Sequence, residues 1–400
     1  MADKGDSIEW RIRAMCERVA QAKAAGLYFF NMPISELRGG SRVLVNGRQM
    51  AMFASYSYLG LIGHPRIQAA ARDAIERYGT GTHGVRTLAG TLNLHRELEE
   101  AIAQMKGTQD AITFSSGYIT NLTVISALVG RHDFVFVDKY DHASIVDGCL
   151  LSSAKMVRFK HNDMADLETK FRSAPSASAK LVVTDAVFSM DGDVIDLPRL
   201  AELCRQHKAW LMVDEAHSLG VLGKTGHGIE EHFGMEGVVD IKMGTLSKAV
   251  PSVGGYVAGS SNLITYLRHH SRGYIFTAAL PPPQAAAALE ALRVIQDEPW
   301  RIQALQQNAQ QLIRGLKDRG FDTLNTETAI VPLLCVSDEN AFRMTREAHE
   351  EDLFVLPVVS PAVPEGTARL RTTVTAAHEA SEIEQALDVF ERAGKKIGVI

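Results

Sequence analysis

The residue best placed for covalent chemistry is Lys248, which ends the segment Gly244–Lys248, GTLSK. The apolar run Ile241–Met243 predicts a buried strand, so this lysine follows a strand end among small and hydroxyl-bearing residues. A desolvated lysine amine in such a place suits Schiff-base chemistry with an aldehyde. For any single lysine, the alternative is a solvated side chain in a polar turn.

A second polar pair favours the chemical interpretation. Asp214 and His217 come directly after the predicted strand Leu211–Val213, in the segment VDEAHSLG. Ligands of open α/β sheets bind at the carboxyl ends of the strands, so we expect this pair and Lys248 to face one cleft. Asp214 can keep a proton on the ring nitrogen of an aromatic cofactor. Its alternative role is to cap a helix.

A predicted helix start provides an anion site. The strand Asp110–Phe114 leads into Ser115-Ser116-Gly117-Tyr118 and then into a helix. The free N–H groups and the dipole at such a start favour a phosphate. Thr245 and Ser247 can add hydroxyl donors to the same phosphate.

His142 follows a further predicted strand, in the segment DHASI that begins at Asp141. Its imidazole can lie flat on an aromatic cofactor, or it can be a structural histidine. A metal site with Asp138 and Asp141 lacks the open three-ligand pattern of catalytic zinc, so we predict no metal.

Alternating strands and helices must position these residues. The apolar runs that predict strands of the main sheet are Asp110–Phe114, Phe134–Val137, Met156–Phe159, Leu181–Thr184, Leu211–Val213, Ile241–Met243 and Tyr256–Ala258. With helices between most of them, they predict an α/β fold with a large, mostly parallel sheet covered on both faces. The pattern changes after Pro281-Pro282-Pro283. We predict an N-terminal helix and hairpin in residues 1–55, a large cofactor-binding domain in 56–284, and a small C-terminal α+β domain in 285–400.

Composition narrows the class of protein. The chain has 400 residues with a net charge of -5, which gives no support to nucleic acid as a partner. Its 4 cysteines form no CxxC pair, which is typical of reduced thiols in the cytoplasm. The amino terminus, MADKGDSIEW, lacks the apolar core of a signal peptide. No stretch approaches the roughly 18 apolar residues of a membrane span, so we expect a cytoplasmic protein without an integral membrane segment.

Taken together, the motifs resemble fold-type I enzymes that use pyridoxal 5'-phosphate (PLP), and among them the α-oxoamine synthase family. The segments that carry the resemblance are SSGYITN (Ser115–Asn121), DHASI (Asp141–Ile145), FSMDGD (Phe188–Asp193), VDEAHSLG (Val213–Gly220), GTLSK (Gly244–Lys248), Gly254-Gly255 and LRTTVTAAH (Leu370–His378). The resemblance covers the chain from about Gly26 to its end. It implies a PLP-dependent transferase fold with PLP as the cofactor.

The resemblance also implies roles around the cofactor ring. Lys248 would bind PLP covalently and remove the α-proton of an amino acid. His142 would stack on the ring, and Asp214 would pair with the ring nitrogen. His217 and Ser189 would bond the phenolic oxygen.

Further roles concern the phosphate, the subunits and the substrate. The implied phosphate ligands are Gly117, Tyr118, Thr245 and Ser247. Thr277, in YIFTAALPP, would reach the phosphate of the partner subunit, which makes the active unit a homodimer with its active site at the interface. Arg371 would clamp the amino-acid carboxylate, a bidentate task that suits arginine. Its alternative role is a surface charge on an edge strand.

The implied reaction joins an amino acid to an acyl thioester, usually of coenzyme A, with loss of CO2. Tyr56, in SYSYLG, stands where most of the family has asparagine, and a tyrosine there is similar to bacterial serine palmitoyltransferases. This favours L-serine and a long-chain acyl-CoA such as palmitoyl-CoA, giving 3-ketodihydrosphingosine. The alternatives are 8-amino-7-oxononanoate synthase, glycine C-acetyltransferase, and a synthase that uses another amino acid or a carrier-protein thioester.

Other classes on the same fold remain alternatives. An aminotransferase or lyase does not need the thioester-related segments matched here. A catalytically silent subunit would be expected to lose the reactive lysine, whereas Lys248 is present with its whole motif.

Overall fold

The computed structural model describes residues 8–400; residues 1–7, which begin the polar amino terminus discussed above, lie outside them. The strands are β1 (Ile34–Arg38), β2 (Arg42–Val45), β3 (Arg48–Met52), β4 (Asp110–Phe114), β5 (Phe134–Asp138), β6 (Lys155–Phe159), β7 (Lys180–Asp185), β8 (Trp210–Asp214), β9 (Ile241–Thr245), β10 (Gly255–Gly259), β11 (Ile330–Val336), β12 (Leu353–Phe354), β13 (Pro357–Val358) and β14 (Ala368–Thr373). The helices are α1 (Ile8–Ala24), α2 (Pro65–Tyr78), α3 (Asn93–Met105), α4 (Gly117–Leu128), α5 (Ala143–Ser152), α6 (Met164–Arg172), α7 (Leu197–His207), α8 (Ile229–Phe233), α9 (Ser261–His270), α10 (Arg272–Ile275), α11 (Pro282–Asp297), α12 (Trp300–Asp318), α13 (Asp338–Glu350) and α14 (Ala380–Ile397).

A seven-stranded sheet forms the centre of the molecule, with strand order β4-β10-β9-β8-β7-β5-β6. The pairings among β9, β8, β7, β5 and β6 are parallel, and β10 runs antiparallel to both of its neighbours. Every residue of β5, β7 and β9 is buried, as expected for strands covered by helices on both faces. The predicted α/β fold with a mostly parallel sheet is confirmed.

Two smaller sheets complete the fold. The predicted hairpin forms β2 and β3, and its turn residues Asn46 and Gly47 have φ of 50° and 78°, as a tight hairpin turn requires. Strand β12 pairs in parallel with β3, which joins the hairpin to the C-terminal part of the chain. Strands β11, β14 and β13 form the third sheet, which is antiparallel. The domain boundaries after residues 55 and 284 stay a prediction.

The N-terminal helix and the strand after it lie outside the buried core. None of the residues of α1 is buried, and every residue of the following strand β1 is exposed. Among the helices of residues 8–400, none combines the length and the apolar character that crossing a membrane requires.

Candidate active site

The ends of neighbouring parallel strands bring the predicted site residues to one edge of the sheet. Strand β8 ends at Asp214, which lies opposite Met243 of β9. The chain leaves β8 after Asp214, and the Glu215 N–H donates to the Met243 carbonyl at 2.8 Å. Lys248 follows the end of β9 by three residues, so it lies at the same carboxyl edge as Asp214. This is the place where ligands of such sheets bind.

The Lys248 amine lies inside the site and does not point into solvent. Its Nζ is 2.7 Å from Nε2 of His217, and Nδ1 of His217 is 2.5 Å from the Tyr58 hydroxyl. His217 and Tyr58 are buried. The three side chains form one hydrogen-bonded line, so the position of the lysine nitrogen is fixed by two buried groups.

Burial lets the Lys248 ammonium lose its proton more readily than that of an ordinary lysine. Desolvation lowers the pKa of its ammonium to about 8, and the positive charge of Arg371 acts in the same direction. Burial and the Lys248 charge together lower the pKa of His217 well below its usual range, so the imidazole is neutral. Burial raises the pKa of Tyr58 to about 12, which keeps its hydroxyl protonated. The line therefore places a neutral imidazole against a lysine that loses its proton near pH 8.

Asp214 is held rigidly in the floor of the site. It is buried, and the Asn121 amide donates to its Oδ2 at 2.7 Å while the Ala216 N–H donates to Oδ1 at 2.9 Å. Asp185 lies opposite it at the end of β7. Burial, together with the charge of Asp214, raises the pKa of Asp185 well above its usual range.

His142 caps the next helix at the mouth of the site. Oδ2 of Asp185 accepts the His142 N–H at 2.8 Å, and His142 Nδ1 lies 2.7 Å from the Ser144 hydroxyl. Desolvation lowers the pKa of the imidazole, while the charges of Asp214 and Lys248 act on it in opposite directions. The residue remains exposed, which leaves its ring accessible from the cleft.

Three chain segments lie close together where the phosphate is predicted to bind, a region called the phosphate end below. Helix α4 begins at Gly117, capped by the Ser116 hydroxyl, and its first N–H groups have no partner within the helix. The Thr245 hydroxyl is 2.8 Å from that of Ser247. A Cβ on Gly255 would lie 2.8 Å from the Gly117 backbone, so only glycine lets the strand approach this closely.

The Tyr118 side chain makes its contacts outside the predicted phosphate site. Its hydroxyl donates to Asp147, and its ring meets that of His142 edge to face at a centroid distance of 6.2 Å. The side chain therefore points along the mouth of the site.

Arg371 presents an unused donor to the site. The guanidinium is buried, its Nε donates to the Ser189 carbonyl at 2.6 Å, and Nη1 donates to the Thr373 hydroxyl at 3.0 Å. Its Nη2 is buried and has no hydrogen-bond partner among residues 8–400. The Tyr56 ring lies 4.7 Å from the guanidinium carbon and 5.5 Å from Lys248 Nζ. A buried guanidinium nitrogen without a hydrogen-bond partner is suited to bind an anionic ligand, because buried polar groups are normally hydrogen-bonded.

Two predicted residues are placed differently from the rest. Ser189 lies at the site, and the contact that positions it is its carbonyl with Arg371. Thr277 follows the exposed Phe276 and precedes Ala278, which bridges to Val85. Its role at the phosphate of the partner subunit stays a prediction.

A histidine and two carboxylates near the site approach the spacing of metal ligands. His161, Asp191 and Asp193 offer atoms within 4.8 Å of one another. However, His161 Nδ1 is bonded to Asp138 at 3.0 Å and Nε2 to Asp193 at 2.9 Å. Burial alone would lower the pKa of His161, but these two carboxylates outweigh it and raise the pKa to about 10. A doubly protonated imidazole has no lone pair for a metal.

Comparison with known proteins places the chain in a family. The profile of the aminotransferase class I and II family matches residues 48–390. Serine palmitoyltransferase of Sphingobacterium spiritivorum is 42% identical over 378 residues, which are 94% of each protein. An 8-amino-7-oxononanoate synthase of Geobacter sulfurreducens is 44% identical over 390 residues, 97% of this chain and 100% of the relative. Both relatives are α-oxoamine synthases. The chain belongs to the α-oxoamine synthases of that family.

The structures of this α-oxoamine synthase and its relatives agree closely. A solved structure of serine palmitoyltransferase with PLP superposes with a TM-score of 0.95 at 35% identity, covering 99% of this chain and 100% of that one. The α-oxoamine synthase is therefore a PLP-dependent acyltransferase, and its reaction joins an amino acid to an acyl thioester. The resemblance and the cofactor predicted from the motifs are confirmed.

The residues at the site fit PLP. The α4 start with Thr245 and Ser247 offers donors for a phosphate, Lys248 offers an amine with a lowered pKa, and Asp214 offers a fixed carboxylate for a protonated ring nitrogen. The role of each residue remains a prediction.

Sequence reasoning missed three residues that hold the site together. Tyr58 lies in the same SYSYLG motif as Tyr56, Asn121 lies one helical turn after Gly117, and Asp185 ends a buried strand. Their positions within motifs and at a strand end are the signal that the sequence offers. Their partners lie far away in the chain, and no local pattern encodes those contacts.

Proposed function

We propose that this α-oxoamine synthase condenses L-serine with a long-chain acyl-CoA, such as palmitoyl-CoA, to give 3-ketodihydrosphingosine, CO2 and CoA. The observation that carries the proposal is the arrangement of Tyr56 against both Arg371 and Lys248. It puts an aromatic phenol, in place of a small amide side chain, between the carboxylate clamp and the base. Serine palmitoyltransferases among the relatives and solved structures support the same choice.

Each residue has a defined task in this reaction. PLP, when bound, would supply the electron sink that lets the α-carbon of an amino acid lose a proton. The amino group of the substrate would first replace the Lys248 amine on the cofactor, which leaves Lys248 free to act as a base. The unpaired Nη2 of Arg371 binds the substrate carboxylate and fixes the α-hydrogen toward Lys248. Lys248 then takes that proton, and neutral His217 holds the lysine amine in position through their hydrogen bond. Asp214 stabilises positive charge on the ring nitrogen, and the exposed face of His142 covers the ring.

The active unit in the proposal is a homodimer. Leu88 and Phe276 are 86% and 73% exposed on either side of the bridge between Val85 and Ala278, next to Thr277. Large apolar side chains this exposed favour burial against another surface. We place the enzyme in the cytoplasm. Sedimentation analysis of the holoenzyme tests whether the enzyme is a dimer. Thr277→Ala should weaken the retention of PLP and leave the dimer intact.

A second candidate is supported by the 44% identity to an 8-amino-7-oxononanoate synthase, which exceeds the identity to the serine palmitoyltransferase above. The test is a matrix of L-serine, L-alanine and glycine against palmitoyl-, pimeloyl- and acetyl-CoA, with ketone and CoA thiol measured as products. The proposal expects the highest kcat/KM for L-serine with palmitoyl-CoA. A maximum for L-alanine with pimeloyl-CoA would assign the second candidate instead.

A further inference from the structure

An apolar groove leads away from the candidate active site. It encloses about 390 Å³, within the ~300–1,000 Å³ range of small-ligand pockets. Its lining includes Phe29, Met32, Ile34, Leu37, Ala54 and Leu356. Strand β1 forms one wall, and its side chains Ile34 and Leu37 are 40% and 55% exposed. The groove therefore leaves apolar side chains without a partner in the described chain.

The groove and the reacting centre share one residue. Tyr56 lines the groove, and the same ring lies 5.5 Å from Lys248 Nζ and 4.7 Å from the guanidinium carbon of Arg371. A ligand that fills the groove would thus have one end beside the base and the carboxylate clamp.

The charge pattern of the groove identifies the kind of ligand. Arg42 is the one charged residue among the described residues that line it, and Arg42 is paired with Glu382 at 2.7 Å. A second cavity, of about 670 Å³, is lined by several charged residues, among them Lys139, Asp193 and Arg369. An alkyl chain gains free energy from apolar surface and gains nothing from charged walls.

We propose that the groove lined by Ile34, Leu37, Ala54 and Tyr56 binds the acyl chain of the thioester substrate. This assignment rests on the proposed function, because it takes the thioester carbonyl to react beside Lys248. The acyl chain would extend from Tyr56 toward β1, so the depth of the groove would set the preferred acyl length.

Two variants and one control test the assignment. Ala54→Phe fills the groove next to Tyr56, and Leu37→Glu places a charge on its exposed wall without touching the core. Ala362→Phe puts the same phenyl group at the charged cavity and serves as the matched control. Each is assayed with L-serine and butanoyl-, octanoyl- and palmitoyl-CoA, and by calorimetry with a palmitoyl thioether analogue of CoA.

The expected result is a loss of preference for long chains. Each methylene group that loses its burial lowers kcat/KM about fourfold, the equivalent of ~0.8 kcal/mol. If two groups are excluded in Ala54→Phe, the palmitoyl-to-butanoyl ratio falls roughly sixteenfold. Leu37→Glu should lower the ratio in the same direction, and Ala362→Phe should leave it at the wild-type value.

The outcomes separate this inference from the proposed function. Ketone formation with an unchanged chain-length ratio in both groove variants would refute the groove and leave the function standing. A change in sedimentation of Leu37→Glu with an unchanged ratio would show that a second copy covers the groove, which also refutes it. Thioether binding that is lost in Ala54→Phe, with no ketone from L-serine and any thioester, would refute the function and retain the groove as an acyl site.

Discussion

Replacing Arg371 by lysine tests the carboxylate clamp. The guanidinium is fixed by the Ser189 carbonyl at 2.6 Å and the Thr373 hydroxyl at 3.0 Å, which leaves Nη2 as the free donor. A lysine ammonium keeps the charge but cannot hold these partners and also meet a carboxylate with a planar pair of donors. Losing a hydrogen bond to a charged group costs ~1.5–3 kcal/mol, which is about 10- to 150-fold in amino-acid affinity.

The assay is a titration of the holoenzyme with L-serine, followed by the absorbance of its cofactor, together with steady-state kinetics. Arg371→Lys should raise the KM for L-serine within that range and leave the KM for the thioester nearly unchanged. Arg371→Ala should have a larger effect. Because the Arg371 charge helps to lower the pKa of Lys248, Arg371→Ala should also raise that pKa above about 8.

Arg369 provides a matched control on the same strand. It lies two residues away from Arg371 on β14 and is also buried, but its guanidinium is bonded to the Asp191 carboxylate and the Met190 carbonyl. Arg369→Lys should lower stability and leave the KM for L-serine close to the wild-type value. An equal rise in KM for both variants, or a rise confined to the thioester KM in Arg371→Lys, would refute the clamp.

Three further predictions concern the cofactor. Because the pKa of Lys248 is about 8, the rate at which apo-protein captures PLP should rise about tenfold between pH 7 and 9 and then level off; a continued rise above pH 9 would indicate an ordinary lysine. Asn121→Ala removes the 2.7 Å bond to Asp214 and should weaken PLP binding at least about fivefold in equilibrium dialysis, with unchanged binding counting against a role for that pair. Gly255→Ala puts a Cβ 2.4 Å from the Thr120 hydroxyl and should destabilise the fold by ~1–3 kcal/mol, which would be measured as a lower Tm. An unchanged Tm would show that the backbone at the phosphate end shifts to accommodate the methyl group.

The sequence predicted the placement of those site residues that directly follow a predicted strand. Lys248, Asp214 and His142 each come after a short apolar run, and parallel strands bring such ends to one edge whatever the details of packing. The Asn46-Gly47 turn specified its hairpin for a similar reason, since both residues readily take positive φ.

What the sequence did not predict depends on contacts across long separations. Tyr58 and His217 meet although 159 positions separate them, and their bond sets the line to Lys248. Strand β1 is a different case: it pairs with its neighbour β2, but its sequence, ISELR, shows no alternation of apolar and polar residues that would predict a strand. Strand β12 has 2 residues and exists through its pairing with β3. Local patterns carry no record of such tertiary partners.

The central claim is that Lys248 is the residue that binds PLP. The direct test is reduction of the holoenzyme with borohydride, followed by digestion and mass spectrometry of the pyridoxyl-labelled peptide. The account predicts a single labelled peptide with the modification on Lys248, and a Lys248→Ala variant that forms no ketone. A label on another lysine, or full turnover by Lys248→Ala, would contradict it.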